Sequence, residues 1–173
     1  MSRMARPEAT GEVHAVARLC SAGVEAALAL LSTAAGLARW NLGLWCTSEQ
    51  GPGLLAGTSL LGGGRGLARV QVDAERGWVD YRVGDELPSL VPRIQARVQP
   101  GHELGHAPGT CMVTLMAWRT AEMDDARWQR LCAAHDVEID MIRAALESAP
   151  GQGADVRSGA GETQDAGHTG APS

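Results

Sequence analysis

Two short strings in this chain carry the residue types of a reactive site. His102-Glu103-Leu104-Gly105-His106 spells HExxH, by which zinc hydrolases set two imidazoles on one helix face with a carboxylate beside the metal-bound water. That chemistry needs a helix, and here the five residues lie between Pro100-Gly101 and Pro108-Gly109 with Gly105 inside. A loop joining two strands is the expected setting, so no metal site is assigned. Weak adventitious binding is all that His102 and His106 would offer. Gly62-Gly63-Gly64-Arg65-Gly66 is rich enough in glycine to cradle a phosphate, yet neither Lys-Ser/Thr nor a helix start follows it. It reads as a flexible turn, and no cofactor is implied by either string.

Single residues remain. His135 falls on the apolar stripe of a long amphipathic segment, where it is either a buried imidazole satisfied by a neighbour or an acid-base group at a wall. Tyr81, the one tyrosine, shares parity with Val79 and Val83 and so points inward, where its hydroxyl needs a partner. Arg119 has the parity of Val113, Leu115 and Ala117 but stands at a strand end, suited to reach solvent or to cap an acid.

The elements that must position these residues follow from periodicity. VHAVARLC (13–20) alternates as a half-buried strand, and Ser21 is then the expected N-cap of a helix whose Val24, Ala27, Leu28 and Leu31 recur at helical spacing. A break near Ser32 divides that region into two short helices. From Leu42 the period becomes two, and Gly or Pro clusters divide the rest into six strands, which short turns join into an antiparallel meander with one wet face. In RIQARVQ (93–99), Ile94, Ala96 and Val98 take one face, and Arg93, Gln95, Arg97 and Gln99 the other. The last element is a helix from about Asp124 to Ser148, with Asp124 or Asp125 as cap and Trp128, Leu131, Cys132, His135, Ile139, Ile142 and Leu146 on one stripe.

Length and composition bound the answer. A chain of 173 residues fits one domain, expected over 12–148, with the polar segments 1–11 and 149–173 disordered. With no Phe, one Tyr and five Trp, the core rests on Leu, Val, Ala and Met. The net charge of -5 argues against nucleic acid as partner. Cys20, Cys46, Cys111 and Cys132 are far apart and read as small buried hydrophobes in a reducing cytoplasm. No run approaches the roughly 18 apolar residues that would insert in a membrane.

Strand, two short helices, six strands and one long helix is an order that resembles the START and polyketide-cyclase-like superfamily, also called SRPBCC. The matching stretches are VARLCSAGVEAALALLS, Trp40 after the second helix, DYRVG, and VTLMAWRTAEMDDARWQRL. The resemblance implies an α+β helix-grip fold: a seven-stranded antiparallel sheet wrapped around a long C-terminal helix, with a cavity between them for a lipid, polyketide or other apolar molecule. Its expected walls are Trp40, Trp45, Tyr81, Cys111, Val113, Leu115, Trp128, Leu131, His135 and Ile139, although Trp40, Trp45 and Tyr81 also read as ordinary core.

Two functions from different classes follow. The leading one is binding of a small hydrophobic molecule, because the expected lining has few ionisable groups. The other is a cyclase, aromatase or dehydratase in which His135 and Tyr81 move a proton, which requires both side chains to open into one pocket. A protein-interaction module is a third reading. It would use Met116 and Trp118, whose strand face opposes Val113 and Leu115 and which could also join two copies as a homodimer.

Overall fold

A computed structural model describes residues 12–148, and the termini expected to be disordered lie outside the described residues. The chain runs β1 (Val13–Cys20), α1 (Val24–Ser32), α2 (Ala34–Leu37), β2 (Trp45–Gly51), β3 (Leu54–Thr58), β4 (Arg65–Asp73), β5 (Trp78–Gly84), β6 (Val91–Pro100), β7 (Cys111–Trp118) and α3 (Asp125–Glu147). The seven strands form one antiparallel sheet in the order β1-β7-β6-β5-β4-β3-β2, so the first strand closes on the last. With α1 and α2 between the first two strands and α3 laid on the sheet, this is the expected α+β helix-grip.

Period-two patterning decides which face is buried. Cys111, Val113, Leu115 and Ala117 of β7 are wholly buried, while Met112, Thr114 and Met116 between them are not. The stripe expected on α3 is buried along its whole length, and Asp124 caps the helix by accepting the Arg127 N–H at 2.7 Å. Arg119 serves that same corner, donating to the Met123 carbonyl and to Asp125. At the edge strand β1, His14 and Arg18 face the helix and meet Asp136 (3.2 Å) and Asp140 (2.7 Å), one turn apart on α3.

The main core cluster gathers α1, the inner faces of β4 to β7 and the C-terminal half of α3. A smaller one holds Ala117, Met123, Trp128, Leu131 and Cys132, and Ile94 packs against both.

Local expectations needed three corrections. Helix α1 starts at Val24 with Gly23 at its N-cap and no side-chain bond there, so Ser21 is not the cap; the chain spends residues 21–23 turning out of β1. The capping hydroxyl belongs to the second helix, where Thr33 accepts from Gly36 N at 3.1 Å. Cys46 is exposed rather than buried, because the β2–β3 pairing shifts register between Trp45 and Ser48 and Cys46 takes a positive φ of 56° there. The third concerns β6. Tyr81 pairs with Ile94 and Arg82 with Pro92, which leaves Arg93 as the extra residue of a bulge and breaks the alternation that put it on the wet face.

Candidate functional site

One end of the grip is left unfilled. A cavity of about 370 Å³ lies between the N-terminal half of α3 and the end of the sheet where β4 begins, β5 ends and β6 begins. Leu44, Leu61, Leu67, Val83, Ile94, Met123 and Leu131 supply its apolar lining. The 3-10 turn Leu42–Leu44 forms one rim. It can sit there because Gly57 and Gly66 offer bare backbone: a Cβ at Gly57 would lie 2.6 Å from the Leu44 backbone, and one at Gly66 would lie 2.7 Å from the Gly43 carbonyl oxygen. The glycine-rich turn 62–66, read as a plain connection, supplies Gly62, Gly64, Arg65 and Gly66 to the same rim.

Two of the ionisable α3 groups in the wall are nearly sealed from solvent: His135 is 2 % exposed and Glu138 is 4 % exposed. Burial lowers the His135 pKa from 6.5 to about 4, helped by the positive charge of His14 and Arg93, so the imidazole is neutral. Burial raises the Glu138 carboxyl from 4.5 to about 7, against the opposing pull of backbone bonds from Leu42 and Gly43. The Leu42 N–H donates to Glu138 Oε1 at 2.7 Å, so this carboxylate satisfies free N–H groups at the start of the 3-10 turn and ties the rim to the helix. His135 Nε2 and Glu138 Oε2 are 3.9 Å apart, too far for a hydrogen bond, and with a neutral imidazole they are not an ion pair. His135 Nδ1 has no hydrogen-bond partner among the described residues.

No family model matches the chain, and no curated protein matches it. Solved structures do. A START superfamily protein from Mycobacterium smegmatis superposes with a TM-score of 0.58 at 10% identity, covering 79% of this chain and 98% of that one. The Zhui aromatase/cyclase from Streptomyces gives a TM-score of 0.54 at 13% identity, over 78% of this chain and 93% of the other. The Aha1 dimer from Colwellia psychrerythraea gives 0.59 at 17% identity, over 80% and 98%. The fold is that of the START and polyketide-cyclase-like superfamily. At such identities the likeness concerns the backbone, and the chemistry must be argued from this chain's own residues.

Within the START-like grip, the ten residues expected to wall a cavity divide sharply. Leu131 and His135 line it. Cys111, Val113, Leu115 and Ile139 lie in the main core and outside the lining, as do Trp40, whose indole N–H donates to the Leu30 carbonyl at 3.1 Å, and Tyr81. Trp128 belongs to the smaller cluster, and Trp45 is half-buried at the start of β2. Tyr81 does not face His135 across a pocket: its hydroxyl donates to the Leu31 carbonyl at 2.5 Å, and burial pushes its pKa well above the usual value. The inward parity held, but the partner is the end of α1.

The HExxH string forms a 3-10 turn, Gly101–Leu104, closed by Gly105 in the left-handed region (φ 80°), so its histidines do not share an α-helical face. Met116 and Trp118 lie on the outer face of β7, the first half-buried and the second 37 % exposed.

Glu138 and Arg93 are among the many wall residues that the sequence reading passed over. Glu138 follows His135 by three and precedes Ile142 by four, so helical spacing alone placed it on the buried stripe. Arg93 gave no such signal, because a bulge reversed its face.

Proposed function

We propose that this protein binds a small molecule with a substantial apolar body, a lipid, polyketide or similar compound, in the cavity between α3 and the sheet. The observation that carries this reading is the cavity itself. Protein interiors pack to crystal density, and a space of about 370 Å³ kept open beside two filled core clusters falls within the range of small-molecule sites. The START-like likeness supports it. A cytoplasmic setting is consistent with the exposed thiol of Cys46, which a reducing compartment keeps unpaired.

Native mass spectrometry of the full chain, before and after mild denaturation, tests the reading. A co-purifying compound at one per chain, released on unfolding and excluded by Val83→Trp in a still-folded protein, is the expected result. A protein that arrives empty and is stabilised by no member of an apolar ligand panel would overturn it.

The opposite pKa displacements of Glu138 and His135 favour a second reading, proton transfer to a bound ligand in a cyclase- or dehydratase-like reaction. Glu138 would take the place first given to Tyr81. Loss of water from the bound compound, abolished in Glu138→Gln while binding persists, would establish it; a compound recovered unchanged from the wild-type protein would count against it.

A further inference from the structure

The full chain carries a net charge of -5, yet four arginines, Arg65, Arg93, Arg127 and Arg130, line the cavity against two acids, Asp85 and Glu138. Of those acids, Glu138 is spent on the Leu42 N–H, and burial leaves its carboxyl half-protonated near neutral pH.

Arg93 is the most deeply placed of the four. The β6 bulge turns it from the wet face into the wall, and its guanidinium keeps a buried Nε for which no group among the described residues is an acceptor. A buried N–H without an acceptor costs free energy, more so on a charged group. Beside burial, the strongest influence on Arg93 is a like charge, Arg127, and the more weakly acting Asp85 forms no ion pair with it. Arg127 likewise has no acidic partner within 4.0 Å among the described residues. Two guanidiniums therefore line one cavity, and neither is held in an ion pair by a carboxylate among the described residues. His135 Nδ1, the other orphaned polar atom of the lining, stands on the same wall.

We propose that the cavity ligand carries one oxyanionic group, a carboxylate or its equivalent, seated between Arg93 and Arg127 while the apolar body runs inward along Ile94 and Leu131. Such a group supplies the acceptor that Arg93 Nε lacks, offsets the repulsion between two cations, and suits the planar fork of a guanidinium. The inference deepens the binding reading and rests on it.

A pair of fluorescent probes separates the two claims. Anilinonaphthalene sulfonate and phenylnaphthylamine share one apolar body and differ by the sulfonate. With the full-length protein, the sulfonate is expected to bind one per chain and about tenfold more tightly than the neutral probe, with an advantage that shrinks as salt is raised. Arg93→Met should remove most of that advantage, bringing the affinities of the two probes within about twofold of each other. If the neutral probe binds and the sulfonate binds no better, or if the advantage survives in Arg93→Met, the anion site is wrong and the cavity reading stands. If neither probe binds, both fail. Near-UV circular dichroism checks the fold of the variant; should Arg93→Met not fold, Arg127→Met, at an exposed position, is judged by the same criterion.

Discussion

His135 and Glu138 lie one helical turn apart, and burial drives them in opposite directions. Their effects on stability therefore oppose each other. Glu138 has a folded pKa raised from 4.5 to about 7, so its contribution is fully present below pH 4.5 and is lost as pH rises toward 7. His135 has a folded pKa lowered from 6.5 to about 4, so its contribution is present above pH 6.5 and is lost as pH falls toward 4. Each is worth about 3 kcal/mol at most. Between pH 5 and 6.5 the two slopes cancel in large part, and single substitutions should unmask them. Urea unfolding of Glu138→Gln is expected to show stability rising across that window, and His135→Asn stability falling. Parallel curves for both variants and the wild type would show that neither group titrates differently in the folded protein. At this scale the sequence told half the story: the spacing put both residues on the buried face of α3, but the Tyr81 hydroxyl needed the end of α1 to be located before its partner could be known.

Elements show the same division. Helix α3 was legible because its stripe and its Asp124 cap are local, set by a 3.6-residue period and by four consecutive residues. The face of Arg93 was not, because a bulge belongs to a pair of strands and is set by how β5 and β6 twist together. The rim of the cavity depends on a similar non-local fit, between the 3-10 turn and the backbones of β3 and β4. Gly57→Ala puts a methyl 2.6 Å from the Leu44 carbonyl group and 2.8 Å from the Trp45 oxygen, so backbone must move. We expect a loss of about 1–3 kcal/mol in chemical denaturation, with probe binding weakened as the rim shifts. A variant of unchanged stability would mean that the turn is free to yield.

At the scale of the molecule, β1 pairs with β7 along its full length, from Val13 opposite Trp118 to Cys20 opposite Cys111, so the two ends of the domain meet. The main cluster reaches from β1 to the end of α3, and Ile94 joins it to the smaller one around Trp128. Neither cluster can be exposed without breaking strands that the other uses. The domain should accordingly unfold in one cooperative step. Tryptophan fluorescence, to which Trp40 in one cluster and Trp128 in the other contribute among five tryptophans, is expected to coincide with far-ultraviolet circular dichroism across a urea titration. Two separated transitions would show that the cavity end opens by itself.

The order of elements, the buried faces of β7 and α3 and the capping of the long helix were determined by the sequence alone, since each depends on residues within a few positions of one another. From that order the START-like grip followed. Where the grip stays open was decided only in three dimensions. Most of the expected wall packs into the main core, while the lining of the open cavity includes a glycine-rich turn, a 3-10 turn, the start of β6 and one end of α3, far apart in the chain. Strand register and a single extra residue at Arg93 brought them together. Those are properties of pairs of elements, and no periodicity within one element records them.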